Sequence, residues 1–175
     1  VPLDYREAAR LYRVAAEAGL AAAETDLGIL HEHGWGVEKD FAEAAVWYAR
    51  AAGKGFAPAE TNLGLLHERG LGVALDLARA AELYARAAER GYALAQHNLA
   101  TLYENGLGVA RDQVAAFKWY GRAAEQGEVR AQVNLGLMYE TGRGVAADPA
   151  QAAQWYRRAA EQGSATAQGN LAGLY

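Results

Sequence analysis

The sequence predicts an all-α solenoid, and two observations carry that prediction. The first is a strict period. The segments EHGWGVEKD, ERGLGVALD, ENGLGVARD and ETGRGVAAD begin at Glu32, Glu68, Glu104 and Glu140, and their aspartates Asp40, Asp76, Asp112 and Asp148 stand 36 residues apart. A period of this length marks one supersecondary unit repeated so that each copy buries its apolar face against the next. The second observation is that each period holds two helical patterns. Four full units, 23–58, 59–94, 95–130 and 131–166, follow one another without insertion or deletion. Residues 4–22 match the second half of a unit and 167–175 the start of one. The expected organisation is one solenoid domain over residues 1–175.

The first helix of each unit carries Ala95, Leu99, Leu102 and Tyr103, or Ala131, Leu135, Met138 and Tyr139, at the 0, 4, 7, 8 spacing of one helical face. A small residue follows the leucine: Gly28, Gly64, Ala100, Gly136, Ala172. Glycine inside a helix costs about 1 kcal/mol relative to alanine, so its recurrence predicts a close neighbour. Gly34, Gly70, Gly106 and Gly142 are expected to end this helix in the left-handed conformation. The second glycine and Val37, Val73, Val109 or Val145 turn the chain and plug the loop into the core.

The aspartate then reads as the N-cap of the second helix. DFAE at Asp40–Glu43 and DYRE at Asp4–Glu7 resemble capping boxes, and Pro149 suits a first helical position. This helix buries pairs such as Trp47, Tyr48 and Ala51, Ala52, and stops near Gly19, Gly55, Gly91, Gly127 and Gly163. Pro58 is placed in the short link before the next helix.

Composition narrows the function. Hydrophobic residues make up 52% of the 175 residues, enough for a packed core, and the net charge of −4 offers no basic field for nucleic acid. No cysteine is present, which excludes disulfides, cysteine zinc sites and thiol nucleophiles. No apolar run approaches the ~18 residues of a membrane helix, and no signal peptide is recognised. The glycine-rich loop is not read as a ligand loop. A dinucleotide loop follows a strand, a calcium loop carries several acidic ligands, and a site needed every 36 residues reads as architecture.

The segment NLGLMYETGRGVAADPAQAAQWYRRAAEQG, Asn134 to Gly163, resembles the Sel1-like repeat family, and the resemblance extends over nearly the whole chain. It implies a right-handed superhelix of antiparallel helix pairs, tetratricopeptide-like, with the first helices lining the inner face. It further implies an adaptor that assembles protein complexes, often in bacterial envelope or signalling systems. The cysteine-rich branch of the family is not matched. Trp47, Trp119 and Trp155 become Leu83 and Leu11 in the other units.

Candidate residues follow from the register. With the buried face at Leu99 and about 100° per residue, three columns point away from the core. They are an amide column (Asp26, Asn62, Asn98, Asn134, with Asn170), a mostly apolar column (Ile29, Leu65, Thr101, Leu137, with Gly173) and an acidic column (Glu32, Glu68, Glu104, Glu140). These are the expected partner-binding residues. The competing reading is that the asparagines bond a neighbouring loop and the leucines pack on the next unit. The expected function is a non-catalytic scaffold binding a peptide or helix with some basic residues. No catalytic residue, cofactor, metal, nucleic acid or membrane insertion is expected. The alternative is a small-ligand or metal-binding regulatory domain on the His31–His67 side. His31 and His67 hold the slot of Tyr103 and Tyr139, and His33 and His97 complete the histidine set. Arg50, Arg86, Arg122 and Arg158 read as last-turn charges, and Arg86–Glu89, Arg122–Glu125 and Arg158–Glu161 as i,i+3 pairs.

Both ends are expected to be incomplete. The chain opens at Val1 and closes inside a first helix, so it reads as a segment of a longer protein. Leu171, Leu174 and Tyr175 are expected to be partly bare and available for end-to-end self-association. The compartment is open between bacterial cytoplasm and an exported location.

Overall fold

A computed structural model describes residues 4–174, which form ten α-helices and no strands. They group into two compact units that divide between Arg90 and Gly91. The first unit holds α1 (Tyr5–Glu17), α2 (Ala21–His33), α3 (Phe41–Gly53), α4 (Ala57–Arg69) and α5 (Leu77–Glu89). The second holds α6 (Ala93–Asn105), α7 (Gln113–Glu125), α8 (Val129–Thr141), α9 (Pro149–Glu161) and α10 (Ala165–Gly173). Within each unit successive helices pack on one another in chain order.

The helices of a pair are antiparallel. The Asp40 N–H at the start of α3 donates to the His31 carbonyl at the end of α2, 2.9 Å away. The Lys54 ammonium beyond the end of α3 reaches Glu24 in the first turn of α2 at 2.8 Å. The second unit repeats this, with Asp112 N–H on the Tyr103 carbonyl at 2.9 Å and the Gln126 amide on Gln96 at 2.8 Å.

Local sequence sets the helix ends. The side chains of Asp4, Asp40, Asp76, Asp112 and Asp148 each accept from free first-turn N–H groups, as an N-cap does. The expected capping box at Asp40 is incomplete. Its N–H is already given to His31, and Glu43 takes the Trp47 indole N–H at 2.9 Å. At the other helix ends Gly34, Gly70, Gly106 and Gly142 cap α2, α4, α6 and α8 with φ of 73°, 65°, 69° and 70°. The second glycine of the loop has a different reason. A Cβ on Gly36, Gly72 or Gly144 would run into the backbone of Tyr5, Phe41 or Gln113, at the start of the preceding second helix.

Pro58 lies in the first turn of α4, and not in the link as the sequence reading has it. The first turn has N–H groups with no intrahelical partner, so a residue without one is tolerated there. The first helices accordingly begin at Ala21, Ala57, Ala93 and Val129. Leu171 and Leu174 are half-buried on and after α10, and Tyr175 lies outside the described residues.

The core of each pair is built from alanine and tyrosine. Tyr48, Tyr84, Tyr120 and Tyr156 are fully buried, with Ala44, Ala51, Ala80, Ala87, Ala116, Ala123, Ala152 and Ala159 beside them on the same helices. Small residues let the helix axes approach, and the tyrosine ring fills the space between them. Val37 and Val73 pack onto these clusters from the loops.

Candidate functional site

The acidic column is the first element of the predicted site, and the structure gives it a partner within the fold. Tyr48 donates its hydroxyl to Glu32 at 2.8 Å, Tyr84 to Glu68 at 2.6 Å, Tyr120 to Glu104 at 2.8 Å and Tyr156 to Glu140 at 2.6 Å. A buried phenol needs an acceptor, and the glutamate in the last turn of the first helix supplies it. Burial, followed by the carboxylate partner, pushes the Tyr48 and Tyr156 hydroxyls well above the usual phenol range; burial does the same at Tyr120.

The amide column completes the same contact from the other side. Asn62 bonds the Tyr48 hydroxyl, Asn134 that of Tyr120 and Asn170 that of Tyr156. Tyr48, Tyr120 and Tyr156 therefore each give their proton to the first helix of their own pair and are met by the amide of the next first helix. Asp26 holds the amide slot in α2, and burial raises its carboxyl pKa. Asn98 is half-buried, with Oδ1 3.2 Å from His97 Nδ1.

The apolar column is half-buried and not an open stripe. Ile29 packs against the cluster around Tyr48 and Leu63, and Leu65 and Leu137 have intermediate exposure. Thr101 is tied down, its hydroxyl donating to the His97 carbonyl at 3.1 Å and lying 3.0 Å from the Tyr120 hydroxyl. Glu32, Glu68 and Glu104 are half-buried and Glu140 is exposed. Glu104 also carries Arg143 in a salt bridge. The carboxylates are thus partly spent on the fold before any partner arrives.

The arginines do lie in the last turns of their helices, but their partners are not the expected glutamates. Arg50, Arg122 and Arg158 lie over the rings of Trp47, Trp119 and Trp155, 4.5, 4.5 and 4.6 Å from the centroids. The tryptophan quadrupole attracts the guanidinium more usefully than an exposed glutamate three residues on. Where the tryptophan is Leu83, Arg86 has no ring to cover, and it turns to Glu60, which is fully buried. Arg90 holds the other oxygen of Glu60 at 2.9 Å.

That contact belongs to a set the sequence reading missed. A buried polar residue in the first turn of each first helix meets the residue just past the second helix. The pairs are Glu24 with Lys54, Glu60 with Arg90, Gln96 with Gln126 and Gln132 with Gln162, at 2.8, 2.9, 2.8 and 2.8 Å. The signal was present, because acid–base pairs become amide–amide pairs in step.

The histidines do not converge on a metal geometry. His31 is buried, His67 Nδ1 faces the Ala74 carbonyl at 3.2 Å, and His33 is exposed and lies against Trp35. Among the described residues no three His, Cys, Asp or Glu side chains come together to hold an ion. No described helix is long and apolar enough to cross a membrane.

In the second unit, His97, Val129, Arg130, Val133, Asn134, Ser164 and Thr166 line a cleft of about 260 Å³ between the first helices α6, α8 and α10. Burial lowers the His97 pKa, with Asn98 opposing and Arg130 adding to the shift.

Antiparallel helix pairs repeating every 36 residues, each closed by the same tyrosine–glutamate bond, define an α-helical repeat protein. The Sel1 repeat model matches residues 1–20, 21–56, 57–92, 93–128 and 129–164, and the chain belongs to the Sel1 repeat family. Two solved structures are similar in sequence as well as fold. One is a protective antigen present in uropathogenic Escherichia coli strains that displays an SLR fold. It is 43% identical with a TM-score of 0.90, and the match covers 94% of this chain and 35% of that one. The other is a Sel1 repeat protein from Oxalobacter formigenes, 41% identical with a TM-score of 0.84, over 89% of this chain and 62% of that one. This chain therefore spans less than two thirds of the length of either. An immunity protein from Pseudomonas aeruginosa shares the fold at 23% identity and a TM-score of 0.66, over 95% of this chain and 62% of that one. No curated protein sequence matches the chain.

Proposed function

We propose that the chain is a non-catalytic protein-interaction scaffold that binds a peptide or helix of a partner on the face formed by its first helices. The observation that carries this reading is the combination found at Leu65 and Leu137. Both are apolar, both keep intermediate exposure, and each lies one turn before a glutamate that is anchored by a buried tyrosine. A rigid backbone that leaves apolar side chains partly accessible loses little conformational freedom on binding. Membership of a family whose members act mainly as adaptors supports the same reading. Glu68 and Glu140 give the partner a place for basic residues, while Glu104 is neutralised by Arg143.

The test is a paired substitution, Leu65→Glu with Leu137→Glu. It places charge at two partly apolar contacts, which opposes a partner more than it opposes folding. Affinity capture from the native host with the wild-type chain and with this variant is the comparison. Loss of the captured protein with unchanged helical circular dichroism supports the reading. A folded variant that captures the same protein sinks it.

A further inference from the structure

We propose that the cleft between α6, α8 and α10 seats an acidic side chain of the partner, an aspartate or glutamate within an extended segment. This rests on the scaffold reading and deepens it, because the cleft opens between the first helices and includes Asn134.

At this cleft the chain breaks its own repeat. Residue 97 shares its register with Thr25, Thr61 and Val133. Thr25 and Thr61 bond back to their own helices, to the Ala21 and Ala57 carbonyls at 2.9 and 2.8 Å, and need nothing else. His97 is a costly replacement. It is 9% exposed, its Nδ1 lies against Asn98 Oδ1, and its Nε2 finds only the Asn134 amide nitrogen at 3.4 Å. That is long for a hydrogen bond, so a buried imidazole nitrogen is poorly satisfied at the floor of the cleft. Arg130 stands in register with Ala22, Pro58, Leu94 and Thr166 and is the one charge at that position, while Ser164 shares its register with Leu20, Phe56, Tyr92 and Glu128 and caps α10 by accepting from the Ala167 N–H. His97 and Arg130 break the repeated pattern without a packing reason, and such breaks mark function.

The lining selects the ligand. Arg130 is the one cation among the lining residues. Glu128 holds its Nε at 2.9 Å, which fixes the guanidinium and leaves its two terminal nitrogens for a second acceptor. A planar pair of N–H donors matches a carboxylate. The Thr166 and Ser164 hydroxyls add donors, and Val129 and Val133 give a short side chain its apolar wall. The first turns of α8 and α10 begin here, and their positive ends favour negative charge.

The probe is the blocked tripeptide acetyl-Ala-Asp-Ala-amide, with acetyl-Ala-Asn-Ala-amide as its neutral counterpart, titrated into the ¹⁵N-labelled chain and followed by NMR. The aspartyl peptide is expected to shift the amide resonances of Arg130, Asn134 and Thr166, and the asparaginyl peptide to bind at least tenfold more weakly. Two variants restore residues that the other repeats already use. Arg130→Leu and His97→Thr should both fold, and Arg130→Leu should weaken the aspartyl peptide at least tenfold. Arg130→Gln gives the same reading should the leucine variant not fold. Equal shifts with both peptides, unchanged binding by the arginine variants, or shifts that map away from the cleft would overturn the proposal. So would tighter binding of a peptide whose only carboxylate is its C-terminus. The two readings fail separately. Capture lost with Leu65→Glu and Leu137→Glu, but no aspartyl-peptide binding, removes the cleft alone.

Discussion

The hydroxyl of Tyr48 lies 2.8 Å from Glu32 Oε2, and the ring of the same tyrosine occupies the space where a Cβ of Gly28 would fall, 2.5 Å from Cε1. One side chain thus explains two features of the preceding helix, its glutamate and its glycine. The ring demands the glycine and the hydroxyl demands the carboxylate.

Removing the hydroxyl alone should be costly. Tyr48→Phe keeps the ring but leaves Glu32 and Asn62 without their shared partner. A buried polar group stripped of its bond costs about 1–3 kcal/mol. Urea unfolding should show that loss with an unchanged slope. The raised ionisation of Tyr48, Tyr120 and Tyr156 adds a spectroscopic check. Absorbance at alkaline pH should report these phenols only once the fold has opened.

Glycine substitutions should change stability in opposite directions. A Cβ on Gly64 would fall 2.6 Å from the Tyr84 ring, whereas one on Gly121 meets nothing within 4 Å. Gly64→Ala should therefore lose about 1–3 kcal/mol to overpacking, despite the gain in helix propensity. Gly121→Ala should gain about 1 kcal/mol from that propensity. Thermal melts of the two variants are the measurement.

The buried charge pairs should be replaceable only together. Glu60 is fully buried between Arg86 and Arg90. Arg90→Gln alone weakens that balance, and Glu60→Gln alone removes the acceptor both arginines share. The arginines are about half exposed, so the loss is that of a buried polar group stripped of a partner, about 1–3 kcal/mol. The double change Glu60→Gln, Arg90→Gln places a Gln–Gln pair where the next repeat has Gln96–Gln126 and should recover part of the loss, with Arg86 keeping its bond to the Ala52 carbonyl. A double-mutant cycle in urea reads the coupling.

Acid should weaken the second unit through His97. Its pKa is lowered in the fold, chiefly by burial, with Asn98, Arg130, Glu128 and Glu104 as the facing groups. The unfolded chain then binds the proton more readily than the folded one. Stability is full above the unfolded value of about 6.5 and falls as pH drops below it, until the folded pKa is passed. Melts at a series of pH values should show this slope, and His97→Thr should flatten it.

The helix pairs were legible because their signals are local. The aspartate caps, the left-handed Gly34 and Gly70 and the 0, 4, 7, 8 spacing each act within a turn or two. The close approach at Gly28 was legible as well, although not that Tyr48 causes it. The site was less so. The Glu32 and Asn62 columns fell at the right register, but a wheel drawn for one helix makes both look free. Their partner Tyr48 is 16 residues from Glu32 and on another helix. The Lys54–Glu24 contact spans 30 residues, again beyond any single-helix pattern. Arg86 escaped because its behaviour depends on Leu83, a neighbour that leaves it no ring to cover.

Site-specific photo-crosslinking in the native host reads out whether the first helices carry the partner. A benzophenone amino acid is placed at Leu65 or Leu137 on the first helices, and at Val46 or Val114, which are exposed on the second helices. One common crosslinked protein is expected from Leu65 and Leu137 and none from Val46 and Val114. Crosslinking to that protein from Val46 and Val114, with none from Leu65 and Leu137, would contradict it.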